Sequence, residues 1–149
     1  MDSCVFCNQE FQEYVIKKYS HWEIQLFRDD QYYIGRTVVV LRERHIKDLT
    51  QLTKTERNEL FETVLPELRN TLLSLFNPNN FNYTSLGDDC PHLHFHVIPR
   101  YNHTVKFNGR TFEDEYWNQT HSQSTEKIQL NQNELDLLKT KIQNTISEN

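Results

Sequence analysis

The spacing of apolar residues along the chain predicts a small α+β protein. Phe11 to Lys18 reads as a short helix. Trp22, Ile24 and Leu26 alternate with Glu23 and Gln25, the period of a half-buried strand over Trp22–Phe27. Val38-Val39-Val40-Leu41 is a continuous, mostly β-branched run, as expected of a strand (Thr37–Leu41) covered on both faces. Gly35 ahead of it suits a turn, so these two strands are expected to form a hairpin with a loose connection.

A long helix is expected next. Thr53 with Glu56 three residues on matches a capping box. Leu60, Val64, Leu68, Leu72 and Leu75 follow at helical spacing, with Phe61 and Leu65 beside them. Pro66 lies inside this pattern and is expected to kink or split the helix, and Asn77-Pro78-Asn79-Asn80 ends it. Two further strands, Phe81–Ser85 and Leu93–Ile98, flank a Gly-Asp-Asp-Cys-Pro loop. Tyr101 to Thr125 is polar and unperiodic, the pattern of an ordered loop or flap. The last helix starts near Asn131: Asn131 and Glu134 repeat the capping pattern, Leu130 and Leu135 suit a hydrophobic staple, and Leu138, Ile142 and Ile146 continue the stripe. The whole predicts an antiparallel sheet of about five strands with one long helix and a C-terminal helix packed on it.

Bulk properties narrow the picture without changing it. At 149 residues and 36% hydrophobic content the chain supports one domain, with a core over about 4–101 and a flap plus helix over 102–149. A net charge of -5 gives no footprint for nucleic acid or membrane, so a polyphosphate would have to be met by local positive potential. No apolar run is long enough for a bilayer, and Met1-Asp2-Ser3-Cys4 does not resemble a signal peptide, so a cytoplasmic protein is expected. Three cysteines, an odd count, argue against a disulfide framework and for reduced Cys4, Cys7 and Cys90.

The chemistry concentrates in His92-Leu93-His94-Phe95-His96. A strand sends alternate side chains to one face, so the three imidazoles are expected to project together, with Leu93, Phe95 and Val97 turned to the core. Crowded imidazoles depress one another's protonation, which keeps at least one neutral and nucleophilic near pH 7. Two other readings fit the same pattern: three ordinary histidines on a solvated face, or a metal site completed by a remote ligand. Cys4-Val5-Phe6-Cys7 also has two readings, redox pair or metal ligands, though no βαβ unit is present to support the redox one.

The run Pro91-His92-Leu93-His94-Phe95-His96-Val97-Ile98-Pro99-Arg100-Tyr101 resembles the signature of the histidine triad family, with the Pro-Arg-Tyr tail of its bacterial members, and Gly87-x-x-x-Pro91-His92 resembles the form of the diadenosine polyphosphate hydrolase-like branch. The N-terminal Cys-x-x-Cys and the histidine of Val40-Leu41-Arg42-Glu43-Arg44-His45 agree with it, and the likeness fades after Tyr101. The resemblance implies a hydrolase that cleaves a nucleoside polyphosphate or phosphoramidate at its α-phosphate through a covalent nucleotidyl-histidine. His94 would be the nucleophile, His96 the partner on the phosphate side, and His92 an orienting residue or metal ligand. A nucleotidyl transferase of the same mechanism, or a non-catalytic nucleotide- or zinc-binding protein, are the alternatives. The resemblance also implies a homodimer and a structural zinc held by Cys4, Cys7, His45 and His92. Asp29 or Asp30 would hold the ribose, the backbone around Gly87 would approach the phosphates, and Arg36, Arg100 and Lys106 are phosphate candidates. Asp88 and Asp89 would repel a polyphosphate unless they bind a divalent cation with the substrate or turn away.

Overall fold

In the computed structural model, which describes residues 3–121 and 127–148, alternation in the sequence becomes a two-faced antiparallel sheet. Its strands are β1 (Val15–Lys18), β2 (Trp22–Leu26), β3 (Thr37–Leu41), β4 (Asn80–Thr84) and β5 (His94–Arg100), in the order β1-β2-β3-β5-β4. In register, Val40 lies opposite His94, Val38 opposite His96, and Thr84 opposite His96 from the other side. Trp22, Ile24, Leu26, Val39, Leu41 and Val97 therefore share one face, and Glu23, Gln25, Val38, Val40, His94 and His96 the other.

The first face carries the helices: α1 (Lys54–Glu59), α2 (Leu65–Phe76) and α3 (Gln132–Glu148). Leu60, Val64, Leu68 and Leu72 interlock with the sheet residues and with Leu138 and Ile142 in one core. Buried Trp22 meets its polar requirement by donating from Nε1 to the Glu56 carbonyl at 2.9 Å. The Thr53/Glu56 capping box forms as expected. The helix is divided ahead of Pro66. Leu60–Val64 widens into a π-helical stretch in which the Leu65 N–H reaches the Leu60 carbonyl, and the proline follows in the first turn of α2, where its missing N–H costs least. Asn131 and Glu134 cap α3 reciprocally, and Leu130 and Leu135 are both buried.

Two expectations need correcting. Phe11–Lys18 is a single 3-10 turn (Gln12–Tyr14) followed by β1. Pairing with the backbone of β2 outweighs the local helical spacing, since an unpaired strand would leave its N–H and C=O groups unmet. Tyr101–Thr125 holds a hairpin, β6 (Val105–Phe107) and β7 (Arg110–Phe112), turned by Asn108 and Gly109 at φ 50° and 76°. Its apolar side packs on the helices, with Phe107 against Phe76. The rest of that segment as far as 121 crosses to the opposite face as a strap, and 122–125 lie outside the described residues.

The strap is held by Arg100. Its Nε and Nη2 bind the Asp114 carboxylate at 2.7 and 3.3 Å, Nη2 also reaches the Tyr116 carbonyl, and Nη1 reaches Asn82 Oδ1 and the Gln119 carbonyl. Arg100 and Asp114 are both buried. The β2–β3 connection is pinned beside it, with Tyr101 Oη–H donating to the Ile34 carbonyl at 2.6 Å. Gly35 makes that connection possible: at φ 95°, a β-carbon there would stand 3.1 Å from Leu72 Cδ2.

Candidate active site and metal-binding cluster

The three histidines separate. Strand β5 begins only at His94, because Leu93 donates its N–H to the Ile46 carbonyl and accepts from Leu41 N, outside the ladder. His94 and His96 alternate on the open face as expected. His92 is buried ahead of the strand, with its ring turned to a different set of partners.

His94 Nδ1 stands 2.7 Å from the His92 carbonyl oxygen. A carbonyl only accepts, so the proton sits on Nδ1 and the lone pair on Nε2. His96 has the opposite arrangement. Arg36, which only donates, lies 3.1 Å from its Nδ1 through Nη2, so His96 carries its proton on Nε2. Burial, reinforced by Arg36, His94 and His121, pushes the His96 pKa down to about 3, which keeps the ring neutral. Aromatic walls complete the row: Phe6 lies 5.2 Å from the His94 ring, and Phe27 lies edge-on to His96 at 5.0 Å with Arg36 across its face.

His92 donates from Nε2 to the Leu41 carbonyl at 2.7 Å, leaving Nδ1 as a lone pair. That Nδ1 is 3.5 Å from Cys4 Sγ, 3.5 Å from Cys7 Sγ and 3.2 Å from His45 Nδ1, and Cys7 Sγ is 3.3 Å from His45 Nδ1. All four ligand atoms lie within 4.8 Å of one another. The edges of a tetrahedron built on the usual zinc–sulfur and zinc–nitrogen bonds are roughly 3.3–3.8 Å, so the four side chains fit such an ion. Burial opposes ionisation of Cys4, but the Cys7 N–H at 3.4 Å and the Cys7 thiol bring its pKa below the ordinary thiol value. Cys90 is half-buried beside the cluster and outside it.

The remaining candidates are distributed unevenly. Asp29 is half-buried at the end of β2, 3.5 Å from Arg28. Asp30 is buried, and its Oδ1 accepts from the Tyr32 and Ile128 N–H groups, an internal clamp. Gly87 has φ 71° and open space where a β-carbon would sit, while Asp88 and Asp89 are exposed. The five donor directions of Arg100 are taken up by the strap and Asn82, and exposed Lys106 lies on the hairpin that packs against the helices. Arg36 is the guanidinium beside the histidines. Reading the sequence missed Phe6, Phe27, Trp117 and His121. Only Phe6 left a signal, as the apolar residue inside Cys-x-x-Cys, because the others depend on how the loop and strap fold over the sheet.

Residues 15–103 match the HIT domain family model, and the chain belongs to that family, whose members are nucleotide hydrolases and transferases. The fold is similar to a histidine triad protein from Marinobacter aquaeolei VT8, at TM-score 0.71 and 19% identity over 94% of each chain. It is also similar to a hypothetical histidine triad nucleotide-binding protein from Sulfolobus tokodaii strain7, at 0.70 and 16% over 97% of this chain and 93% of that one. A Zn-bound histidine triad family protein from Mycobacterium smegmatis aligns at 0.64 and 17% over 99% of both. A comparison with curated proteins finds no match. Among the described residues no helix is long and apolar enough to cross a membrane.

Proposed function

We propose that the protein hydrolyses nucleoside polyphosphates at the α-phosphate through His94. The observation that carries this reading is the His92 carbonyl 2.7 Å from His94 Nδ1, which commits the tautomer and leaves Nε2 as a lone-pair nucleophile. In the first step Nε2 bonds to the α-phosphorus, the bond from phosphorus to the bridging oxygen breaks, and the rest of the polyphosphate departs as an oxyanion. The ring then carries positive charge, and the same carbonyl stabilises it through Nδ1–H. Water next attacks the phosphorus, returns the electron pair to Nε2, releases nucleoside monophosphate and gives up its proton to solvent.

His96 supports the polyphosphate class over the phosphoramidate class. A neutral imidazole held at Nδ1 by Arg36 offers an Nε2–H hydrogen bond to developing negative charge, not a proton to transfer. An oxyanion needs only that, whereas a leaving amine needs a proton. Asp29 takes the ribose hydroxyls beside Phe27, the backbone at Gly87 approaches the phosphates, and Arg100 serves by holding the strap. Zinc is held by Cys4, Cys7, His45 and His92, where it ties the N-terminal turn to the sheet so that Phe6 stands against His94.

His94→Ala is expected to lower turnover of a dinucleoside polyphosphate at least about a thousandfold, and wild-type enzyme with a slow substrate should yield a trappable phosphohistidine. Full activity in His94→Ala overturns the reading. Product analysis with and without a hexose phosphate separates hydrolysis from transfer. We further propose a homodimer, for which β4 offers an edge strand and Phe61, Tyr83 and Leu86 offer exposed apolar surface. A monomer mass in sedimentation at micromolar concentration would exclude it.

A further inference from the structure

Two arginines are buried in this protein, and only one of them meets an acid. Arg100 is paired with Asp114. Arg36 forms no ion pair among the described residues. Asp30, the acid whose field reaches it, lies beyond ion-pair distance, and its Oδ1 accepts from the Tyr32 and Ile128 N–H groups instead. The guanidinium is nevertheless fixed on two sides. Its Cζ lies 4.4 Å from the centre of the Phe27 ring, and Nε and Nη2 both donate to His96 Nδ1, at 3.4 and 3.1 Å. Both N–H groups of Nη1 and one of Nη2 are left without a protein partner among the described residues. Burying a charge without a partner is costly, so a guanidinium held in this way is built to meet an anion that the fold does not supply.

The register explains how Arg36 comes to stand there. Gln25, Val38 and His96 form one row across the sheet. Arg36 lies just ahead of β3, where its carbonyl accepts from Phe27 N–H, so on the ladder His96 separates it from His94. The contact with His96 has a chemical consequence. Arg36 can only donate, and while it directs two N–H groups at Nδ1 that nitrogen cannot also carry a proton. His96 is thereby barred from becoming an imidazolium. The charged or titratable groups that face it are Arg36, His94 on its own strand and His121 on the strap, and all three oppose a positive charge on the ring. The other neighbouring strands bring Phe27 and Thr84, which do not titrate. Of these groups Arg36 is the one hydrogen-bonded to the ring nitrogen.

We propose that Arg36 is the residue that selects the leaving group, confining the enzyme to substrates whose leaving group departs as an anion. This rests on the nucleotidyl-transfer reading above. When the phosphorus–oxygen bond of an anhydride breaks, the departing oxygen keeps the electron pair and needs no proton. The unmatched charge of Arg36 and the Nε2–H of His96 meet the negative charge on the phosphate oxygens. When a phosphorus–nitrogen bond breaks, the nitrogen keeps the pair and must also take a proton. His96 can give up its Nε2 proton and end neutral only if it has first taken a solvent proton on Nδ1, which Arg36 prevents. Without Arg36 that route opens and the anion loses its cation.

The test uses the full chain and two substrates attacked at the same kind of α-phosphate. Diadenosine tetraphosphate releases an anion, and adenosine 5′-phosphoramidate releases ammonia. Wild type should favour the tetraphosphate in kcat/KM. Arg36→Met should lower turnover of the tetraphosphate and raise that of the phosphoramidate, shifting the ratio by about tenfold or more, the worth of one hydrogen bond to a charged group. Adding His96→Gln to Arg36→Met should abolish the phosphoramidate gain, because the acid is then gone. Nitrogen-15 NMR of the wild type needs neither turnover nor a variant: at about pH 6, where a free histidine is mostly protonated, His96 should keep its lone pair on Nδ1. A protonated His96 Nδ1 there, a wild type that favours the phosphoramidate, or an Arg36→Met loss equal on both substrates overturns the selection and leaves the His94 chemistry standing. If wild type turns over neither substrate, the nucleotidyl reading falls and the selection falls with it.

Discussion

Two tethers hold extra segments onto the open face of this sheet, and they work by opposite chemistry. At one end Cys4, Cys7, His45 and His92 turn ligand atoms toward one centre, 3.2 to 3.5 Å apart where their separations are resolved, an array of lone pairs that asks for a cation. At the other end Arg100 turns five N–H directions outward to a carboxylate, an amide oxygen and two carbonyls, a set complete in itself. The first tether puts Phe6 against His94, and the second sets Trp117 and His121 over β4 and Arg100. One side of the site therefore presents a set of ligands that could hold an ion, and the other is closed by protein atoms alone.

Breaking the self-contained tether should cost most. Arg100→Leu leaves Asp114 buried without its partner, and a loss of about 3–5 kcal/mol is expected in urea unfolding, with faster proteolysis between 114 and 121. Stability within 1 kcal/mol of wild type would show that the pair contributes little. Removing metal should cost less, because Cys4, Cys7, His45 and His92 all lie outside the strands and join one N-terminal turn to the sheet. If the ion is present at a hundred times its Kd, chelation should remove about 2.7 kcal/mol, visible as a lower Tm that added zinc restores. Cys7→Ser should make Tm insensitive to chelator, and an unchanged response would place the ion elsewhere.

Near neutral pH the smallest effect is a pH slope on the Arg36–His96 side, which builds up only on acidification. The folded protein keeps His96 neutral down to about pH 3, whereas an unfolded histidine takes up a proton below about 6.5. The unfolded state thus binds the extra proton between those values, and stability falls as pH falls through that window by up to about 1.4 kcal/mol per unit. Comparing unfolding at several pH values in wild type and His96→Asn isolates this contribution. Equal slopes in the two proteins would assign it to other groups.

The two tethers also differ in how far they could be read in advance. Cys4-x-x-Cys7 is conspicuous because few side chains bind a soft cation, and the family resemblance adds His45 and His92, so all four stand out in the sequence as candidate ligands. Arg100 carried no such mark. It stood beside the histidine run and was read as a phosphate contact, because nothing local reveals that Asp114, Tyr116 and Gln119 return to it. The N-terminal strand was hidden for a related reason, since β1 owes its conformation to the edge of β2 rather than to its own spacing. The β6–β7 turn was legible after all, as an Asn-Gly pair between alternating apolar residues.

The sequence alone determined the alternating sheet faces, the long and C-terminal helices with their caps and the histidine run, through short-range periodicity and residue types with narrow chemistry, and with the family resemblance it named the candidate ligand set. The tertiary structure alone decided which nitrogen of His92, His94 and His96 carries the proton, that β5 starts only at His94 so that the His92 ring turns away from the other two, and that a strap folds back onto Arg100. The His94 tautomer follows from its neighbour's carbonyl once β5 starts there, whereas the others depend on bonds between residues distant in the chain, His92 to the Leu41 carbonyl, Arg36 to His96 and Arg100 to Asp114, which no local pattern encodes.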